Sequence, residues 1–60
     1  MTPTEFRALR KSMALMQTDL AESMGVTNDT ISAIETGRKG DPIPPLYALA
    51  MERLAQLHTA

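Results

Sequence analysis

The sequence predicts an all-α fold, a compact bundle of four or five short helices. Apolar residues recur at spacings of three and four along most of the 60-residue chain, as they do on the buried side of a helix. No segment shows the alternation of apolar and polar residues that is typical of a strand. Glycines and a cluster of prolines divide the periodic segments into separate helices.

The first predicted helix covers residues 3–13. Thr2 and Glu5 flank its start as in a capping box, in which a hydroxyl at the N-cap and a glutamate three residues later satisfy amides of the first turn. Pro3 stands at the first helical position, where the missing amide hydrogen has no partner in any case. A single apolar stripe follows and consists of Phe6, Leu9 and Met13.

Three further helices are predicted after it. One spans residues 17–24 and ends at Gly25, because glycine adopts a left-handed conformation most readily. Thr27 is a suitable N-cap for the next helix, which ends at Gly37. Three prolines within residues 42–45 exclude a helix there, and the last helix runs from Pro45 to about residue 58. Its apolar repeat comprises Leu46, Leu49, Ala50, Leu54 and Leu57.

The composition excludes most enzyme classes. The chain has no cysteine and one histidine, His58, and it contains no glycine-rich phosphate-binding loop. We therefore predict no catalytic residue, metal site, cofactor or small-molecule substrate. A chain this short buries a small core, and without disulfides or a metal the remaining support is self-association. The five methionines and the leucine repeat are assigned to the core and to a dimer surface, and the hydroxyl of Tyr47 is expected at the surface or in the dimer contact.

The charge balance gives no general preference for nucleic acid. The formal net charge is −1 and the isoelectric point is about 5.6, whereas many DNA-binding domains are strongly basic. Arg38 and Lys39 lie together after the third helix, where they can form a local positive rim. The sequence shows no charged leader after Met1 and no run of about 18 apolar residues, so we expect a cytoplasmic protein with no membrane partner.

Residues 17–37 have the pattern of a helix-turn-helix. Two helices that cross at a steep angle through a tight turn need a small residue where they approach, a glycine in the turn and apolar residues facing the core. Ala21 and Gly25 supply the first two. The apolar set consists of Leu20, Met24, Val26, Ile31 and Ile34.

These residues resemble the helix-turn-helix of the phage repressor and Cro family, also called the XRE family. The matching elements, over roughly residues 6–57, are Gln17, Leu20-Ala21, Gly25-Val26, Ile31 to Gly37, and Arg38. The resemblance implies a lambda-repressor-like domain over residues 1–60 that binds double-stranded DNA as a homodimer. It also implies a transcriptional regulator, usually a repressor, associated with the nucleoid of a bacterial or phage-infected cell. Many relatives have two helices after the position of Gly40, where this chain offers one.

The resemblance also implies roles for individual residues. The positions that face the major groove are Thr27, Asn28, Asp29, Ser32 and Ala33. The positions that contact the DNA backbone are Gln17, Thr36, Arg38 and Lys39, and the glutamine also braces the recognition helix. Arg10 and Glu35 match a pair that in some relatives forms a buried salt bridge, so we assign them, with Ala21 and Gly25, to the scaffold.

The chemistry of the third helix agrees with base reading. Asn28, Asp29 and Ser32 share a face opposite the apolar one. Asparagine can pair with adenine, a carboxylate can accept from the amino group of cytosine, and the methyl group of Ala33 suits a thymine methyl. Two of these residues have ordinary alternatives, because Asn28 favours helix starts and Asp29 complements the helix dipole.

We expect the dimer to form through the last helix and its proline-led connector. Two copies would then read an inverted repeat with half-sites about 34 Å apart. The acidic balance and Asp29 favour a different possibility, a protein-binding module on the same fold that acts as an antitoxin-like partner or an adaptor. Arg7 and Lys11 are interpreted as the solvated side of the first helix.

Overall fold

The computed structural model describes residues 1–59, and of Thr59 only the backbone. The described part of the chain folds into four helices and no strand, which confirms the all-α prediction. The helices are α1 (Pro3–Ser12), α2 (Gln17–Met24), α3 (Asn28–Glu35) and α4 (Pro45–Thr59). Met13, predicted as the end of the first helix, is its C-cap. Within residues 1–59, no helix is both long enough and apolar enough to cross a membrane.

The core lies where α1 packs on α3 and α4, and where α2 packs on α3. The buried apolar residues of this cluster are Phe6, Leu20, Ala21, Ile31, Ile34, Ile43 and Met51. Leu9 and Met13 are partly buried against the cluster, as the predicted stripe of α1 requires. The apolar positions predicted for the first three helices therefore point into one core.

The capping box predicted for α1 is present. The backbone amide of Thr2 donates to Glu5 Oε1 over 3.0 Å, and the backbone amide of Glu5 donates to Thr2 Oγ1 over 3.1 Å. This reciprocal pair satisfies two donors that a helix start otherwise leaves free.

The first three helices end in the same type of turn. In each, a residue with positive φ lies one or two positions after the helix, and its own amide and the next amide donate to carbonyls of the last turn. Gly25, with φ 71°, and Gly37, with φ 85°, occupy this position after α2 and α3, as predicted. An added Cβ at either glycine would have no other atom within 4 Å, so the backbone conformation is the constraint. After α1 the position is taken by Ala14, with φ 57°.

The leucines of α4 do not face the core as one stripe. Leu46, Leu49 and Leu57 are 73%, 64% and 57% exposed, whereas Met51 is fully buried. Leu54 packs against the core, as do the partly buried Tyr47 and Ala48. Because α4 is apolar on more than one side, its periodicity alone cannot identify the face that docks, and the position of α4 against α1 decides it.

The connector before α4 is attached to the start of the chain. Ile43 is 3% exposed, and its amide donates to the carbonyl of Met1 over 2.9 Å. The peptide bond between Asp41 and Pro42 is cis. The one apolar side chain between the prolines thus belongs to the core, whereas Asp41, Pro42 and Pro45 are exposed.

Candidate nucleic-acid interface

The recognition helix of the predicted motif, α3, begins with a hydroxyl cap. Thr27 Oγ1 accepts from the amide of Thr30 over 3.3 Å and lies 2.9 Å from Thr30 Oγ1. Thr27 is therefore the N-cap that the sequence predicts, and its oxygen is already used within the helix start. The partner, Thr30, was not among the predicted site residues.

The first turn of α3 presents free polar groups to solvent. Asn28 and Asp29 are exposed, and neither side chain has a hydrogen-bond partner among the described residues. Ser32, one turn further along, is half-buried. Ile31 and Ile34 are fully buried on the other side of the same helix. The polar face of α3 is thus available to an external partner, and its apolar face is not.

Ala33 lies lower in this surface than the polar residues beside it. The residue is only 9% exposed. It lines an open depression of about 370 Å³ together with Asp29, Thr30, Arg38 and Lys39. A base that contacts the Ala33 methyl would have to enter this depression. The depression brings one carboxylate and two cations together beside α3.

The two cations of the rim follow the end of α3. Arg38 and Lys39 are both exposed. The backbone of Arg38 is fixed, because its amide donates to the carbonyl of Ala33 over 2.9 Å. The hydroxyl of Thr36 lies 2.9 Å from the carbonyl oxygen of Ser32, to which it donates, and Arg38 Nε lies 3.4 Å from that hydroxyl.

A buried ion pair joins α1 to the end of α3. Arg10 Nε lies 2.6 Å from Glu35 Oε2, and Arg10 Nη2 lies 3.1 Å from Glu35 Oε1. Their side chains are 10% and 3% exposed. A third guanidinium nitrogen, Nη1, donates to the carbonyl of Leu15 over 2.8 Å. The pair implied by the resemblance is therefore present, and it also secures the turn between α1 and α2.

Gln17 is attached to the same carboxylate. Its Nε2 donates to Glu35 Oε1 over 3.2 Å, and the side chain is partly buried. The first residue of α2 is thereby linked to the last residue of α3. This contact corresponds to the bracing role that the resemblance implies, and the phosphate contact of Gln17 remains a prediction.

An acidic residue lies in the first turn of both α2 and α3. Met16, the N-cap of α2, provides no side-chain cap, and its own amide donates to Asp19 Oδ2 over 3.0 Å. Asp29 lies in the first turn of α3. These carboxylates reduce the positive potential that a helix start offers to phosphate. Asp19 was not predicted to cap, although its place three residues after the N-cap is the position from which a carboxylate reaches back.

The part of the chain that is described contains no cluster of potential metal ligands. No group of three or more His, Cys, Asp or Glu side chains is close enough there to hold an ion. His58 is exposed near the end of α4.

Comparison with known proteins agrees with this geometry. A family model described as a helix-turn-helix domain matches residues 4–60. No curated protein and no solved structure matches the chain significantly. The match covers almost the whole chain, including the turn at Gly25 between α2 and α3. The chain therefore belongs to the helix-turn-helix domain family, which is found in XRE-like regulators.

Proposed function

We propose that this protein is a sequence-specific DNA-binding transcriptional regulator, and specifically a repressor. In this proposal residues 1–60 form one DNA-binding domain that inserts α3 into the major groove. Two copies bind an inverted repeat and block access to a promoter. The protein acts in the cytoplasm, at the nucleoid.

One observation carries the proposal. The side chains of Asn28 and Asp29 are exposed and unpartnered in the described structure, and Asp29 lines an open depression together with the cations Arg38 and Lys39. A recognition helix needs free polar groups near its N-terminus for base edges and cations nearby for phosphates. Both requirements are met on one side of α3.

The chemistry of these side chains favours particular bases. The Asn28 amide suits the paired acceptor and donor of adenine, and the Asp29 carboxylate suits the amino group of cytosine. We assign weaker contacts from the same face to Ser32 and Thr27. Ala33 is only 9% exposed. Its methyl group can therefore contact a thymine methyl only where the wall of the groove enters the depression.

Contacts to the DNA backbone supply affinity without sequence preference. We assign them to Gln17 at the start of α2 and to Arg38 and Lys39 in the turn that follows α3. Each phosphate neutralised by a cation changes the slope of log K against log salt by about −0.9. With two cations per subunit at this surface, the slope is shallow and most of the discrimination comes from bases and from pairing of the two copies.

The second copy is expected on α4. Leu46, Leu49 and Leu57 share one side of this helix by their spacing of three and eight residues, and all three are exposed. Burial of that side against the same side of another copy would give a two-fold symmetric dimer. Such a dimer would present two α3 helices at half-sites about 34 Å apart.

A second candidate function is supported by the acids at the two helix starts. Asp19 and Asp29 oppose phosphate at the positions where a DNA-binding helix-turn-helix usually attracts it. A basic protein partner would be attracted by the same carboxylates. In this alternative α3 binds a protein, and DNA recognition does not occur without that partner.

Selection from a random duplex pool at moderate salt tests the proposal. Enrichment of a two-fold symmetric consensus would establish a dimeric sequence reader and would give the half-site spacing. A matched selection with the double variant Asn28→Ala and Asp29→Ala should lose the enriched positions. A folded protein that enriches no sequence would overturn the proposal in favour of the protein-binding module.

A further inference from the structure

Thr36 has a hydroxyl whose hydrogen is already used. This oxygen lies 2.9 Å from the carbonyl oxygen of Ser32 and 3.3 Å from that of Ala33, and it donates to these carbonyls at the end of α3. A hydroxyl has one hydrogen to donate and lone pairs with which to accept. Donation to a phosphate would require Thr36 to leave the helix carbonyls. Acceptance from a cation requires no such change.

The cation that it meets is Arg38. The Nε atom of Arg38 lies 3.4 Å from Thr36 Oγ1. The backbone of Arg38 is fixed at the same time by its bond to the carbonyl of Ala33, 2.9 Å, and by the left-handed turn at Gly37. The two Nη groups of the guanidinium have no partner among the described residues. The two Nη groups of Arg38 are therefore free to bind a ligand, while Nε is held by Thr36.

We propose that Thr36 is a positioning residue, which orients the guanidinium of Arg38 for a DNA phosphate and does not contact the phosphate itself. This inference rests on the proposed function, because an oriented Arg38 guanidinium has a role only if the protein binds DNA. Ordering a long side chain before binding removes part of the entropy cost of the contact. The guanidinium also binds phosphate with a planar fork, so its orientation matters more than that of a lysine.

The first test uses the free protein and needs no DNA. Nitrogen-15 relaxation of the Arg38 Nε–H group reports its motion, and Arg7, an exposed arginine of α1, provides an internal reference. We expect Arg38 Nε to be more ordered than Arg7 Nε in the wild type and in Thr36→Ser. In Thr36→Val the Nε–H groups of Arg38 and Arg7 should be equally mobile. Equal motion of the two in the wild type would overturn the inference.

The second test is a double-mutant cycle on a random-sequence duplex at low salt. In the Arg38 background, Thr36→Val should weaken binding by about three- to ten-fold through the lost ordering. The Arg38→Lys background keeps the charge and lacks Nε. There, Thr36→Val should change the affinity less than two-fold, which is about the precision of such cycles. An equal loss in both backgrounds would show that the hydroxyl contacts DNA directly.

The two tests separate this inference from the proposed function. If the wild-type protein binds no duplex, the proposed function fails, and the relaxation measurement still decides whether Thr36 orders Arg38. If the wild type binds and the losses are equal in both backgrounds, the proposed function stands and the positioning role of Thr36 is wrong. Thermal unfolding of each variant, followed by circular dichroism, confirms that binding is compared between folded proteins.

Discussion

The two ends of α3 differ in how their polar groups are used. At the N-terminal end, the side chains of Asn28 and Asp29 are exposed and have no partner within the described structure. At the C-terminal end, Glu35 accepts three hydrogen bonds from two other helices, and Thr36 bonds to the last carbonyls. One short helix thus has an end that faces solvent freely and an end that is tied to the rest of the fold.

Under the proposed function, this difference separates recognition from stability along eight residues of helix. The anchored end fixes the direction of α3 relative to α1 and α2, so that the free end is presented in one orientation. Changes at the free end should alter ligand preference with little effect on folding, and changes at the anchored end should do the reverse.

The largest effect is expected from Glu35→Ala. This change leaves the Arg10 guanidinium, 10% exposed, without its carboxylate, and removal of one member of a buried ion pair costs about 3–5 kcal/mol of the free energy of unfolding. Urea unfolding followed by circular dichroism measures the loss. A loss below about 1 kcal/mol would show that the pair does not anchor this end of the helix.

A double substitution provides the matched control for that prediction. Arg10→Met with Glu35→Leu removes both charges and fills the site with apolar groups of similar size. Replacement of a whole buried pair in this way is often neutral or stabilising. We therefore expect the double variant to be more stable than Glu35→Ala alone, because no charge is left buried without a partner.

Asn28→Ala should have the opposite effect at the free end. The side chain is exposed and unpartnered among the described residues, so the free energy of unfolding should change by less than about 0.5 kcal/mol. Discrimination at one base pair should fall by about 1–3 kcal/mol. Binding to the selected duplex and to single-base variants measures it. An unchanged preference at every position would contradict base reading by Asn28.

Arg38→Ala tests the rim that borders the free end. Loss of one phosphate contact should weaken binding to all sequences alike and should reduce the salt slope by about 0.9. Lys11→Ala provides a control of equal charge on α1, and we expect it to leave the slope unchanged. Affinities measured over a salt series compare them. Equal effects of the two variants would mean that only net charge matters.

The sequence predicted the motif better than it predicted α4. Gly25, Gly37 and the spacing of Leu20, Ile31 and Ile34 define short helices with one apolar side, so their ends and their buried faces could be assigned from the pattern. In α4, apolar residues occur on several sides, and the buried position of Met51 depends on how the helix docks. Burial of Ile43 likewise depends on a contact with Met1 that is distant in sequence.

The candidate site shows the same limit. Residue types and spacing predicted which side chains share the exposed face of α3, because helical geometry alone determines that. They did not predict that the Thr36 hydroxyl would already be engaged by neighbouring groups, since such bonds depend on the positions of single oxygen atoms. The depth of Ala33 depends on the loop that returns beside it.

The left-handed conformation of Ala14 after α1 was also not predicted, and it gives a smaller expected effect. Ala14 has φ 57° at a position where the other two such turns have glycine. A left-handed conformation costs a residue with a Cβ about 1–2 kcal/mol, and glycine loses part of this gain through its more flexible unfolded state. Ala14→Gly should therefore stabilise the protein by about 0.5–1 kcal/mol in thermal or urea unfolding. Destabilisation would mean that the packing of the Ala14 methyl group contributes more than the left-handed conformation costs.

The smallest effect is expected at the start of α1, far from both ends of α3. The backbone amide of Thr2, and then its hydroxyl, lower the pKa of Glu5, because both interactions favour the charged carboxylate. A lowered pKa in the folded state gives stability that is present above the ordinary pKa of glutamate and is lost as pH falls through the folded-state value. Glu5→Gln keeps an acceptor for the Thr2 amide and does not titrate. The free energy of unfolding of the wild type should thus exceed that of Glu5→Gln most at neutral pH. This excess should decrease in acid. A difference that stays constant with pH would show that the charge of Glu5 does not contribute to the cap.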